Sequence, residues 1–70
     1  MIIYVTLSNN TKIKFVKVKD FKDWMVNYIE APLAIQRAIY MMSDENFLKA
    51  ARKHARLTGE FKIRIKKEIT

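Results

Sequence analysis

The sequence predicts an α+β domain of order ββαααβ, a three-stranded antiparallel sheet with helices packed on one face. Three segments alternate in polarity and are rich in β-branched and aromatic residues, as strands are: 1–7, 12–19 and 60–69. Residues 20–58 instead place apolar side chains at helical spacing. A chain of 70 residues without a linker-like segment is expected to form a single small basic domain over residues 1–70.

The first strand is predicted to lie in the centre of the sheet. Residues 1–7 carry no charged side chain, whereas both other strands are lysine-rich, as edge strands often are. Asn9 and Asn10 predict a tight hairpin after it, because asparagine tolerates positive φ. In the second strand the lysines lie at even positions, 12 and 14, and then at odd positions, 17 and 19, so a regular strand would place them on opposite faces. We therefore predict a β-bulge near Phe15 and Val16, with an end of strand pairing at Phe15 as the alternative.

Capping residues predict where the three helices begin and end. Asp20 is the predicted N-cap of the first helix, with Asp23 in its first turn. This helix is expected to end just before Pro32, which suits the first position of the second helix. Ser43 is the predicted N-cap of the third helix, and Gly59, the only glycine, is predicted to end it.

The second helix is apolar on more than one side. Its predicted buried stripe consists of Ile35, Ala38, Ile39 and Met42. Leu33, Tyr40 and Met41 lie outside that stripe, so the helix is expected to be the most enclosed of the three or to face a partner. This excess of apolar side chains leaves homodimerisation open. It also supports an alternative function as a protein–protein interaction module, such as an adaptor or an inhibitor of another protein.

The sequence lacks the residue patterns of common catalytic and metal sites. There is no glycine-rich phosphate loop, HExxH, GxSxG or CxxC, and no cysteine at all. His54 is the only histidine and lies near the edge of an apolar helix stripe, where its ring is expected to pack. We therefore expect a protein that is not an enzyme, with no catalytic residue, cofactor or metal site.

The sharpest functional feature is a cationic stripe on the third helix. Lys49, Arg52, Lys53 and Arg56 fall at i, i+3, i+4 and i+7, which is one helix face. Together with a net charge of +7, this stripe predicts binding to nucleic acid, with duplex DNA favoured, or to an acidic protein surface. The alternative to ligand binding is that this face of the helix is simply exposed to solvent. A helix-turn-helix made by the second and third helices is a further option.

A second basic surface is predicted on the uncovered face of the sheet. Its members are Lys12, Lys14, Lys62, Arg64 and Lys66, to which the bulge would add Lys17 and Lys19. Tyr4 shares this face, and charge combined with an aromatic ring is typical of surfaces that bind RNA or other single strands. Because the helix stripe and the sheet face belong to different layers, one duplex need not touch both.

The N-terminus does not resemble a signal peptide, and no segment resembles a membrane span. The N-terminus lacks a cationic region followed by a long apolar run, and no apolar run approaches the roughly 18 residues that span a bilayer. We expect a cytoplasmic protein that does not contact membranes.

Overall fold

The computed structural model describes residues 1–67 and has the predicted α+β class and element order. Its elements are β1 (Ile2–Leu7), β2 (Lys12–Phe15), α1 (Val18–Tyr28), α2 (Leu33–Met41), α3 (Asp44–Thr58) and β3 (Phe61–Lys66). The end of the predicted third strand, at residues 68 and 69, lies outside the described residues.

The sheet has the order β2-β1-β3, with both pairs antiparallel, so the prediction of a central first strand is confirmed. Val5 lies at its centre, opposite Ile13 on one side and Ile63 on the other. Ile3 and Val5 are completely buried beneath the helices. Alternate side chains of all three strands therefore form the floor of the core, and the remaining ones form an uncovered face.

The hairpin between β1 and β2 is a three-residue loop closed by Leu7. The Leu7 N–H donates to the Thr11 carbonyl and the Asn10 N–H donates to the Leu7 carbonyl, both at 2.9 Å. Asn10 adopts a φ of 68°, so asparagine supplies the left-handed residue, as predicted. The Asn9 side-chain oxygen accepts from the Thr11 N–H at 3.0 Å, which fixes the loop.

The predicted β-bulge is wrong, and its alternative is correct. Pairing of β2 ends at Phe15 opposite Ile3, because β1 begins at Ile2 and offers almost no further length to pair with. Val16 is consequently 62% exposed. Lys17 and Lys19 leave the sheet as well, since one precedes α1 and the other lies within it. The uncovered face therefore holds fewer cations than the bulge would have given it.

The predicted N-cap at Asp20 is also wrong. The chain turns directly after β2, and α1 begins at Val18 with Lys17 at the N-cap and no side-chain cap. The Lys17 carbonyl accepts from the Asp20 N–H at 3.2 Å and from the Phe21 N–H at 3.4 Å. Asp20 instead lies in the first turn, where its carboxylate still interacts favourably with the positive end of the helix.

The end of α1 uses a non-glycine residue in the left-handed region. Glu30 has a φ of 50°, and its N–H donates to the Asn27 carbonyl at 3.2 Å. The Ala31 N–H reaches back to the Val26 carbonyl at 3.0 Å, which completes a Schellman motif. Pro32 then lies at the N-cap of α2, one position before the first helical position where we predicted it.

Of the two alternatives predicted for α2, that it is the most enclosed helix is wrong, and that it faces a partner stays a prediction. Ile39 is its only buried residue, while Ile35 is 46% exposed and Met41 is 85% exposed. Of the predicted stripe, Ala38 is exposed and Met42 is half-buried. The main helix contact of α2 is with α1 rather than with α3, so the close helix pair of a helix-turn-helix is not formed.

The boundaries of α3 confirm both predicted caps. The Ser43 hydroxyl accepts from the Asn46 N–H at 3.2 Å, and Gly59 ends the helix with a φ of 68°. One face of α3 is buried against the sheet by Phe47, Leu48, Ala51 and Ala55. The Phe21 ring links the layers, with its centre 5.2 Å from that of Phe15 and 5.3 Å from that of Phe47. This packing holds the opposite face of α3 towards solvent.

Candidate nucleic-acid interface

The four predicted cations of α3 are brought together on its solvent side. We call Lys49, Arg52, Lys53 and Arg56 the α3 stripe, and all four are exposed. Lys49 is partly neutralised, because its Nζ lies 3.4 Å from a carboxylate oxygen of Glu45 one turn earlier. Within residues 1–67, the other three members of the stripe form no ion pair. The C-terminal half of the stripe is therefore the part with uncompensated charge.

The predicted sheet cations are brought together on the uncovered face. We call Lys12, Lys14, Lys62, Arg64 and Lys66, with Tyr4 and Thr6, the open face. The strand register arranges them in rows, since Tyr4 lies between Lys14 and Arg64, and Thr6 lies between Lys12 and Lys62. No carboxylate side chain belongs to these rows in the described strands. The open face is thus a cationic surface.

The geometry of the open face suits an anionic ligand with planar groups. Strands lie about 4.8 Å apart, so the two cations that flank each central residue are separated at Cα by about 10 Å. Tyr4 is half-buried although no helix covers it. It is therefore partly covered by its neighbours, whose long aliphatic stems can lie along its ring. A single-stranded nucleic acid could stack one base on Tyr4 and place phosphates beside Lys14 and Arg64.

The two basic surfaces meet at the β3 edge of the domain. Arg52 and Arg56 of α3 and Lys62 of β3 line one groove of about 450 Å³. Its apolar lining comes from Ala55, Phe61 and Ile63, and Gly59 also lines it. The two surfaces belong to different layers, and they are connected around the edge strand because α3 packs directly on β3.

Two tyrosines hold acidic side chains close to α1. The Tyr28 hydroxyl donates to a Glu60 carboxylate oxygen at 3.2 Å, and the Tyr40 hydroxyl donates to Asp23. Partial burial, and then the bond to Glu60, raise the pKa of Tyr28. The hydrogen bond to Asp23, and then partial burial, raise the pKa of Tyr40. Both phenols therefore remain neutral donors at physiological pH, and both acceptor carboxylates are engaged with α1 or α2.

The sequence interpretation missed Lys22, which is the one buried charged residue among residues 1–67. Its Nζ donates to the Met42 carbonyl at 2.7 Å and lies 3.7 Å from Asp44 Oδ1. It also lies 5.8 Å from the centre of the Phe47 ring. A clue was available, because Lys22 falls four residues before Val26 on the apolar side of α1. Lys22 therefore joins α1 to the turn between α2 and α3 and does not serve the basic surfaces.

His54 behaves as predicted for a boundary residue. It is half-buried, and its ring centre lies 6.0 Å from that of Phe61 in a tilted arrangement. In residues 1–67 no group of three or more histidine, cysteine, aspartate or glutamate side chains is placed to hold a metal ion. Within the same residues, no helix has the length and apolar character required to cross a bilayer.

No protein-family model matches the chain, and no significant match is found among curated proteins or solved structures.

Proposed function

We propose that this protein is a non-enzymatic nucleic-acid-binding domain that holds duplex DNA against the α3 stripe. The observation that carries the proposal is the exposure of Arg52, Lys53 and Arg56 on one helix face with no carboxylate partner within residues 1–67. Cations in this state neutralise phosphates and release condensed counterions, which provides most of the affinity in sequence-independent binding.

The dimensions of α3 support a duplex as the ligand. A helix of 15 residues is about 22 Å long, and a helix with its side chains is about 10–12 Å wide. The major groove of B-DNA is about 12 Å wide and admits one helix. Arg52 and Arg56 lie one turn apart, so their guanidinium groups can contact neighbouring phosphates or guanine edges. Lys62 extends the same positive surface beyond the helix.

The test is a titration of duplex DNA at several salt concentrations with two matched double variants. Arg52→Glu/Arg56→Glu reverses two charges on the stripe, and Lys14→Glu/Arg64→Glu reverses two on the open face. Both variants carry the same net charge. We expect the stripe variant to bind duplex DNA at least about tenfold more weakly and with a shallower salt dependence, as two lost phosphate contacts require. The open-face variant should retain most of the affinity.

Three outcomes contradict this proposal. Duplex affinity that does not fall with salt would show that phosphate contacts do not drive binding. Equal losses in the two variants would show that only net charge matters. The third outcome is little affinity for duplex DNA together with tight binding to single-stranded RNA or DNA that the open-face variant loses. It would assign the function to Tyr4 and its flanking cations instead.

A second candidate function is protein binding through α2. Leu33 is 62% exposed and Met41 is 85% exposed, and such side chains on one small helix favour a partner surface. A pull-down that recovers a stoichiometric protein partner after nuclease treatment would support it. Because both side chains are exposed, Met41→Ser should abolish that capture without unfolding the domain. Sedimentation of the wild-type protein would separate a second copy of the chain from a foreign partner.

A further inference from the structure

The outer edge of β3 presents backbone groups that pair with no strand within residues 1–67. The Leu7 N–H and carbonyl both point towards the β2 side in the hairpin. Backbone direction alternates along a strand, so Tyr4 and Thr6 direct their N–H and carbonyl groups towards β3. Arg64 and Lys62, which lie opposite Tyr4 and Thr6 in the sheet, direct their own N–H and carbonyl groups back towards β1. The intervening residues of β3, Ile63 among them, therefore direct their N–H and carbonyl groups away from the sheet.

The unpaired edge of β3 runs beside the groove described above. Ile63 and Phe61 supply both the outward backbone groups and part of the apolar lining, and Ala55 of α3 supplies more of it. Arg52 and Arg56 stand on the helix side of the groove. A side chain at Gly59 would meet no atom within 4 Å, so the space beside Gly59 itself is open. An added strand would thus find hydrogen-bonding groups and an apolar surface together.

We propose that the β3 edge binds an extended acidic peptide of a partner protein as a fourth strand of the sheet. Main-chain hydrogen bonds to alternate residues of β3 would supply affinity, and the groove under α3 would accept every second side chain. Side chains on the other side of the added strand would lie opposite Lys62, Arg64 and Lys66, where carboxylates form favourable cross-strand pairs. The preferred peptide therefore alternates acidic and apolar residues.

Charge excludes a second copy of β3 as the occupant. Pairing two copies of this strand would set its three cations opposite the same three cations, and like charges directly opposite each other are destabilising. The cations that protect this edge from self-association therefore also select an acidic strand. Nucleic acid is disfavoured in the groove for a different reason: its backbone offers acceptors but no N–H donors at strand spacing to satisfy the outward carbonyls.

The probe is a fluorescein-labelled heptapeptide EVEIEVE, titrated by anisotropy into the full-length protein. We expect saturable binding, with the Ile63 and Ile65 amide signals shifted and slowed in hydrogen exchange. Ile63→Pro removes an N–H that has no partner within the sheet, so it should leave the ladder intact and weaken binding at least about tenfold. Ile63→Ala is the matched control, because it truncates the same groove-lining side chain but keeps the outward N–H, so it should bind the peptide clearly more tightly than Ile63→Pro.

Two further probes keep the test decisive if a proline variant fails to fold. A peptide of the same composition in the order EEEEVIV should bind at least about tenfold more weakly, since it cannot alternate. An EVEIEVE peptide with N-methylated alternate residues on its bonding side should not bind the wild-type protein. Equal binding by the reordered peptide, or unchanged binding by Ile63→Pro, would reduce the interaction to charge attraction and overturn the proposal.

This inference does not depend on the proposed function. If the wild-type protein binds EVEIEVE but not duplex DNA, only the proposed function fails. If it binds duplex DNA but not the peptide, only the strand-addition proposal fails. A short oligonucleotide that displaces the peptide and shifts the same β3 amides would assign the groove to nucleic acid and overturn the peptide assignment.

Discussion

Helices α2 and α3 follow each other with only Met42 and Ser43 between them, yet they are held to the domain in different ways. α3 buries four side chains and has a side-chain cap at its start and a glycine at its end. α2 buries only Ile39 and has no side-chain cap. Three polar contacts hold its two ends: Gln36 to the Ala31 carbonyl, Tyr40 to Asp23, and Lys22 to the Met42 carbonyl.

The spacing of apolar residues along a helix shows which side chains it is able to bury. Whether they are buried depends on whether the rest of the domain offers a surface to pack against. Both helices have an amphipathic pattern, but the sheet surface is already covered by α1 and α3. α2 reaches α1 with one side and leaves most of its apolar side chains exposed. Its attachment is therefore expected to depend on a few specific bonds, and that of α3 on the packing of the core.

The largest expected contrast comes from truncating one apolar side chain on each helix. Phe47→Ala should cost about 3–5 kcal/mol, because it removes a buried aromatic residue that packs on Phe21. That is most of the stability available to a chain of this length, so the variant should be largely unfolded in circular dichroism at 25 °C. Met41→Ala should change the free energy of unfolding by less than about 0.5 kcal/mol.

A large loss of stability in Met41→Ala would break this comparison. It would mean that α2 is covered in solution, for example in a dimer. Repeating the urea titration of Met41→Ala at several protein concentrations distinguishes the cases, because only a dimer makes the unfolding midpoint depend on concentration.

An intermediate effect is expected at Lys22, which joins α1 to the turn between α2 and α3. Lys22→Ala leaves the Met42 carbonyl without its partner and removes the aliphatic stem from the core, so we expect a loss of about 2 kcal/mol. Asp44 is 69% exposed and remains solvated, which limits the cost. The measurement is urea unfolding of Lys22→Ala, with Asp44→Ala as the control. An equal loss in Asp44→Ala would show that the ion pair, and not the bond to Met42, carries the effect.

The smallest expected effect concerns the bond between Tyr40 and Asp23, and it depends on pH. The raised pKa of Tyr40 means that the folded state retains the phenolic proton more strongly than the unfolded state does. The stabilisation is therefore complete below the unfolded pKa, near 10, and is lost as the pH rises through the folded pKa. Tyr40→Phe lacks this contribution, so its stability difference from wild type should shrink above pH 10. In ultraviolet titration, Asp23→Asn should lower the pKa of Tyr40.

The predictions from sequence succeed where a local rule decides the structure. Ser43 and Gly59 bound α3 because capping and left-handed backbone are properties of a few neighbouring residues. The central position of β1 follows from its lack of charge. The prediction of a β-bulge is wrong because the length of β2 is set by where β1 begins. The alternation of lysines along β2 does not reveal where β1 begins. The same early end of pairing displaces the N-cap of α1 from Asp20 to Lys17.

The sequence predicts which residues share each candidate surface, but it does not predict how the two surfaces lie relative to each other. Helical and strand periodicity place the stripe and the open-face cations on their correct faces. Periodicity does not show that Arg56 and Lys62 share a groove, because that depends on how α3 packs on β3. The burial of Lys22 is equally a product of tertiary packing, since its partners Met42 and Asp44 lie about twenty residues away in the chain.

The pairing of Ile2 with Lys66 has a consequence for how this domain can be manipulated. In a bonded antiparallel pair the two Cα atoms are about 5.5 Å apart, so the two ends of the described sheet are neighbours. A short tether could therefore join them, and the exposed loop at Ser8–Asn10 could be opened instead, which gives a circular permutant of the same sheet. The proximity of residues 2 and 66 also makes the domain suitable for insertion into a surface loop of a host protein. A dye pair attached near residues 2 and 66 would then report its unfolding as a loss of energy transfer.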